Sequence, residues 1–456
     1  MLTLPNLPPQ PLSVTETDLS FNFITDLALK TIYVRGFMLG RDIADALKLP
    51  LANVLDKVLD YLRRDRLIEV QGAAGVGEAA YQYVITSAGQ LRARALMDRN
   101  QYVGPAPVSL AAYTAMVKAQ SLVGQSIAPE TLKRALSHLV LSDNLVNELG
   151  SVINSGRPLF LYGNTGDGKT SIGLAIGNML RGAIWIPYAI SVESEIIKVF
   201  DAGRHRILDK KTSNDRSSSR KGLLSYLTTG KTDESEEMPS LKGDERYDER
   251  WVLVRRPLIV GGGELTLKSL DLVFDPETRY YEAPQQLKAN GGMFLLDDLG
   301  RQRISPQAIL NRWTVPLEKR VDYMTLAIGY KFEVPFDTFV VFATNLNPSD
   351  LADEAFLRRL RNKIHVTDPT WEQFREIFRR EAALRKIPFS EPGWQYLIAQ
   401  HYRKPKREPR GVHPRDLLDA LVDIARSQEI PPTLSKELID LACQSYFLTN
   451  RPSESE

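Results

Sequence analysis

Apolar and polar positions follow two periods along this chain, and the switches between them divide it into units. Apolar residues recur at helical spacing over 21–34, over 40–47 and from Pro50 to about 65, predicting three helices. The period then shortens, and 67–70 and 81–85 read as strands flanking the glycine-rich tip QGAAGVGEAA. Residues 86–120 predict a helix and a connecting arm, and two amphipathic helices follow at about 129–141 and 143–154. Continuously apolar runs, suited to a parallel sheet covered on both faces, lie at 159–162, 183–190, 293–296 and 339–345. Between them, 252–281 alternates, and VLVRRPLIVGGGELTL predicts paired strands about a turn at Gly261, Gly262 and Gly263. Four helical periods at 371–385, 394–401, 414–426 and 435–447 close the pattern.

Three stretches break it. Residues 1–15 are proline-rich and read as a loose arm that docks elsewhere on the protein. The stretch 201–251 carries SSSRK and DESEE and reads as a flexible insertion, or as a substrate-contacting loop, and the SESE end reads as disordered. The expected division is therefore an arm at 1–15, a first folded unit at 16–100, a linker at 101–123, an α/β domain at 124–366 with its insertion, a helical domain at 367–447 and a tail at 448–456.

Candidate chemistry concentrates where periods meet. Residues 158–171 read PLFLYGNTGDGKTS, a buried strand, a glycine-rich turn and the start of an apolar helix. Gly163, four residues, Gly168, Lys169 and Thr170 make the phosphate-loop pattern in its expected strand-to-helix context. Gly163, Gly166 and Gly168 let the chain turn with its N–H groups inward, and Asp167 and Ser171 complete the segment that would cradle phosphate. Lys169 is the residue to neutralise the β and γ phosphates, and Thr170 offers a hydroxyl to magnesium. The implied ligands are ATP and Mg2+. The apolar run 293–296 ends in Asp297 and Asp298: the first is placed to hold the magnesium shell, the second to orient or deprotonate water.

The order GNTGDGKT, MFLLDD, FATN, FLRRLRNKI and GVHPRDLL resembles the AAA+ ATPase superfamily over about residues 125–447. The resemblance implies a P-loop parallel sheet with a C-terminal helical lid. It also implies that Asn345 is the sensor of the attacking water or γ phosphate. Arg359, or Arg358 beside it, would be the arginine finger offered to a neighbouring subunit, and Arg415 the second sensor in the lid. Bland roles compete: the arginines at 358, 359 and 361 could be a solvated face, and Arg415 could pair with Asp416 or Asp419. The family pattern has glutamate where Asp298 stands, which makes slow hydrolysis an expectation. The run from Ile309 to Pro348 looks like the helix, hairpin and sensor strand of the branch holding MoxR-type ATPases, magnesium-chelatase motors and bacterial enhancer-binding activators. The activators' polymerase-contacting loop is not reproduced. The first unit resembles a winged helix-turn-helix domain.

Charge narrows the partners. The chain of 456 residues has 58 Lys plus Arg and 56 Asp plus Glu, so its net charge of +2 gives no global case for nucleic acid or an anionic membrane. Over residues 1–100 eleven basic residues face eleven acidic ones, and Asp56 and Asp60 accompany Lys57, Arg63 and Arg64 on the third predicted helix. A DNA reader usually presents a basic face, so a protein-docking role is favoured over DNA binding. Cys443 is the only cysteine, so no internal disulfide exists, and with five scattered histidines no zinc pattern emerges. No apolar run approaches the ~20 residues of a membrane span, and the N-terminus does not read as a signal peptide, so a cytoplasmic protein is expected. The guanine-reading Asn-Lys-x-Asp is missing; the nearest string is Asn362-Lys363-Ile364-His365.

Together these readings predict a ring-forming ATP hydrolase that remodels a protein client. An ATP-controlled DNA-binding regulator and a slowly hydrolysing ATP switch are the alternatives.

Overall fold

The computed structural model describes residues 7–122, 124, 127–180, 182–208, 246–351, 358 and 360–447, to which all structural statements refer. At its centre five strands run parallel in the order Leu258–Gly261, Met293–Leu296, Phe339–Thr344, Leu159–Gly163 and Asn362–Val366. Met293, Phe294, Leu295 and Leu296 are fully buried, and all residues of Phe339–Thr344 are buried. Both faces of this sheet are covered, which is why its strands read as unbroken apolar runs. The helix Lys169–Met179 lies on one face at close range: a Cβ on Gly173 would stand 2.8 Å from Leu295, and one on Gly177 2.6 Å from Leu258. The opposite face packs on the helix Pro306–Lys319 through Trp313, which meets Phe294 edge-on at 5.1 Å between ring centroids.

The order places the strand preceding the glycine-rich turn between the fourth and fifth strands of the sheet in chain order. The chain reverses its direction of winding there, and such a switch point opens a crevice at the carboxyl ends of the strands. Gly163, Asp297 and Asn345 all lie at those ends.

Two expectations about this sheet fail. The apolar run 183–190 does not enter it: Ala183–Pro187 pairs antiparallel with Trp251–Arg255, and Ala189–Val192 joins a separate five-stranded sheet. The hairpin expected about Gly261 to Gly263 does not form either. Trp251–Arg255 and Leu258–Gly261 serve different sheets, and Pro257 lies between them with no N–H to continue a ladder. Leu258–Gly261 is the edge strand of the central sheet.

The second five-stranded sheet is ordered Val273–Phe274, Tyr281–Glu282, Glu195–Lys198, Ala189–Val192 and Val108–Ser109. Its last strand comes from the stretch expected to be a linker. That stretch is built in: Val108 is fully buried, Tyr113 and Val117 of the helix Leu110–Ala119 enter the same core, and the Gln120 amide exchanges two hydrogen bonds with the Trp185 backbone. Residues 201–208 and 246–251 of the stretch read as a flexible insertion pack into the fold, and the rest of it lies outside the described residues.

In the N-terminal unit the helices Phe21–Arg35, Gly40–Leu47 and Asp56–Arg64 pack on a three-stranded antiparallel sheet. Phe37–Leu39 pairs with Tyr81–Ile85, which pairs with Ile68–Ala73, so the expected two-stranded ribbon has a third member. The third helix starts later than Pro50. Ala52 is extended at ψ 133°, Asn53 is left-handed at φ 63°, and the Asn53 N–H donates to the Asp56 carboxylate at 2.8 Å, which draws the break in tight. The arm docks, with Pro8 O accepting from Asp248 N at 2.9 Å.

At the other end, Trp371–Leu384, Glu391–Leu397, His413–Ser427 and Lys436–Tyr446 form a bundle around Phe374, Phe378, Trp394 and Tyr402. Thr370, Ser390 and Ser435 cap three of these helices. No helix among the described residues is long and apolar enough to cross a membrane.

Candidate functional site

The site begins with backbone. Gly163, Gly166 and Gly168 have φ of 151°, 93° and 85°. Two of them also lack room: a Cβ on Gly163 would fall 2.2 Å from Val366 O, and one on Gly166 2.5 Å from Val412 Cγ1 of the C-terminal bundle. Gly168 is the N-cap of the helix Lys169–Met179, whose first turn-closing bond runs from Ile172 N to Gly168 O at 2.8 Å. The N–H groups of Lys169, Thr170 and Ser171 therefore have no intrahelical acceptor and make an anion seat.

Lys169 is only 6% exposed. Its Nζ donates to Gly163 O at 3.0 Å and to Asn164 O at 2.5 Å, and no carboxylate pairs with it among the described residues. Burial lowers its pKa, while Asp167, Asp298, Asp297 and Asp368 pull it back up. A buried ammonium bonded to carbonyls alone suits an incoming phosphate.

Beside it, Thr170 Oγ1 donates to Asp297 Oδ1 at 3.0 Å. The edge strand fixes Asp297, whose N–H donates to Gly261 O at 2.9 Å, and Gln302 Nε2 donates to Asp297 O at 2.8 Å. One hydroxyl and one carboxylate offer two hard oxygen donors, the usual protein share of a magnesium shell completed by phosphate and water. The residues present fit that ion.

Asp298 is left-handed at φ 51°, a conformation that aspartate tolerates better than most residues. Its Oδ1 lies 3.4 Å from Asn345 Nδ2. Two bonds stitch the neighbouring strand ends together, Leu299 N to Ala343 O at 2.8 Å and Thr344 Oγ1 to Leu299 O at 2.6 Å. Asp298 and Asn345 thus face each other over the carboxyl end of the sheet.

The arginines are placed differently. Arg359 lies outside the described residues, and Arg358 is exposed. Arg415 donates through Nε to Asp416 Oδ1 at 2.9 Å and is exposed, which is the pairing its bland role anticipates. The bundle residues that touch the loop are Gly411 and Val412, which close over Gly166.

Other members of the site carry little local signal. Asp368, two residues beyond the strand Asn362–Val366, accepts from Asn164 Nδ2 at 2.9 Å. Asp167 is 9% exposed, and burial, followed by the influence of Asp368, raises its pKa to about 7. Arg410 reaches the same group electrostatically from the bundle. Gln302 could have been suspected only from its place just after the acidic pair.

A family profile for a domain of unknown function (DUF8689) matches residues 370–445, the C-terminal bundle alone. No curated protein matches the chain. Among solved structures, NtrX from Brucella abortus in complex with ADP is similar over 71% of this chain and 60% of its own, at 14% identity and a TM-score of 0.39. Another NtrX structure from that organism is similar over 88% of this chain and 64% of its own, at 12% identity and a TM-score of 0.37. A point mutant of RuvB from Thermotoga maritima is similar over 70% of both chains, at 13% identity and a TM-score of 0.34. The chain thus spans less than two thirds of the NtrX chains it matches. The chain's own residues form a mixed α/β fold with a five-stranded parallel sheet.

Proposed function

We propose that this protein binds ATP with magnesium at the glycine-rich loop and hydrolyses it as an AAA+ motor that assembles into a ring and remodels a protein client. The observation that carries this reading is the 3.0 Å contact between Thr170 and Asp297, which joins the loop to the acidic strand. Lys169 and the loop N–H groups hold the phosphates. Magnesium, held by Thr170 and Asp297, would spread the charge of the transferring phosphoryl group. Asp298 and Asn345 orient the attacking water, and the bundle acts as a lid that closes on the loop through Gly411 and Val412. Arg359, with Arg358 as the alternative, serves a neighbour's site, and Arg415 leaves Asp416 when the lid closes.

The N-terminal unit, with three helices and a three-stranded sheet, supports the winged-helix reading, and its charges favour a protein partner over DNA. Arg63, one of the basic residues on its third helix, is already paired with Asp60 at 2.7 Å. The test is steady-state ATP turnover against protein concentration, with and without DNA, for the wild type, Lys169→Ala and Arg359→Ala. Turnover that rises with concentration and is lost in both variants is expected. Turnover independent of concentration and of Arg359 would reject the shared-site ring, and turnover stimulated by DNA would move the partner from protein to nucleic acid.

A further inference from the structure

Where the N-terminal unit meets the second sheet lies a cavity of about 270 Å³ that shares no residue with the phosphate site. Its walls are mostly rings. Tyr102 comes from the stretch that leaves the N-terminal unit, Tyr188 precedes the strand Ala189–Val192, Phe200 follows Glu195–Lys198, and Tyr280 precedes Tyr281–Glu282. Tyr102 meets Tyr280 edge-on at 5.5 Å between centroids, and Tyr188 meets Phe200 edge-on at 5.3 Å. Backbone bonds fix the second pair, since Val199 N and Phe200 N both donate to Tyr188 O, at 3.0 and 3.1 Å.

Charge selects against ionic guests. Lys198 also lines the cavity, so a cation drawn to the ring faces would meet an ammonium. An anion gains little either. Lys198 Nζ is held by Glu282 Oε1 at 3.1 Å, and Lys288 Nζ joins Glu282 Oε2 at 3.0 Å to Asp201 Oδ2 at 2.9 Å, two ammoniums against two carboxylates. A neutral guest is offered ring faces and donors. Neither the Tyr188 hydroxyl, the Tyr280 hydroxyl nor the Gln101 side-chain amide has a partner among the described residues. A proline-rich segment in the polyproline conformation is the complement: its rings pack on aromatic faces, it has no internal hydrogen bonds, and its carbonyls need donors. The cavity already holds one such bond, from the Tyr102 hydroxyl to Pro105 O at 2.7 Å.

We infer that this cavity receives a proline-containing, extended segment of a protein partner, with Tyr188 and Tyr280 donating to its carbonyls. Its volume lies below the ~300–1,000 Å³ of pockets that enclose a whole ligand, which suits a ring or two of a longer chain. That this segment belongs to a remodelled client rests on the reading above, whereas its binding does not.

The test is fluorescence anisotropy of a fluorescein-labelled decaproline titrated with the full chain without nucleotide. Saturable binding is expected, weakened about tenfold or more in Tyr188→Ala, which removes a ring at the centre of the contact. Tyr188→Phe and Tyr280→Phe keep the rings packed and lose only the donors, so each should weaken binding about fivefold in an intact fold. Wild-type affinity in both Phe variants, or equally tight binding of a labelled glycine-serine decamer, would overturn the proposal. Decaarginine that displaces decaproline at lower concentration than unlabelled decaproline does would overturn the neutral guest. Tyrosine-dependent decaproline binding by a chain that shows no ATP turnover would leave the cavity standing while the motor reading falls, and turnover without decaproline binding would do the reverse.

Discussion

Two buried polar clusters in this molecule are built on opposite principles. In one, Arg250 and Asp248 are each about 5% exposed, and the guanidinium donates three bonds to the Asp248 carboxylate, one to Thr17 O and one to Pro107 O. The N–H of Asp248 reaches Pro8 O, so a single ion pair fastens the N-terminal arm and unit to the inserted segment. In the other, around the phosphate loop, Lys169 holds only carbonyls, Asp167 lacks a donor and Asp298 sits in a left-handed conformation. A satisfied cluster rigidifies what it joins, whereas an unsatisfied one remains only where neighbouring structure holds it open for something else. Burial and charge do not separate the two clusters. The balance of donors and acceptors does.

Substitutions can break or sharpen that contrast. The largest effect is expected from Lys169→Ala, which should lower ATP turnover at least about 10³-fold, equivalent to ~4 kcal/mol, while leaving denaturant stability unchanged or slightly higher. A stability loss matching the loss of turnover would make Lys169 a structural residue like Arg250. Conversely, Arg250→Ala should cost about 3–5 kcal/mol in denaturant unfolding because it strands Asp248, with nucleotide affinity per folded molecule preserved. A loss of affinity at native temperature would instead tie the arm to the loop.

Smaller changes probe the loop itself. Gly166→Ala places a methyl group against Val412 at a left-handed position and should cost about 1–3 kcal/mol, read as weaker nucleotide binding together with a lower melting temperature. An unaffected nucleotide affinity would separate the bundle from the loop. Asp298→Glu restores the longer arm of the family pattern and should raise single-turnover hydrolysis by about threefold to tenfold. A decrease would mean that the left-handed backbone, which glutamate tolerates less well, outweighs reach.

How much could be read beforehand depended on distance along the chain. The loop was legible because glycines, lysine and threonine act through a contiguous backbone turn. Asp297 followed from its place after an apolar run. The bundle helices agreed with their periodicity to within a few residues because Thr370, Ser390 and Ser435 mark their starts. By contrast, Asn53 broke a helix that periodicity ran through, since a left-handed asparagine leaves the apolar spacing on either side intact.

The residues alone therefore settled what is local: the glycine-rich turn, the strand ends carrying acids and the capped helices. Tertiary structure decided which sheet received each apolar run, sending 183–190 to the inserted unit and Leu258–Gly261 to the central sheet. It also seated Val412 on Gly166, turned Arg415 toward Asp416 and set Asp368 against Asn164. The reason is physical: a short apolar run specifies burial but not partner, and two side chains about two hundred residues apart meet only after the intervening chain has packed.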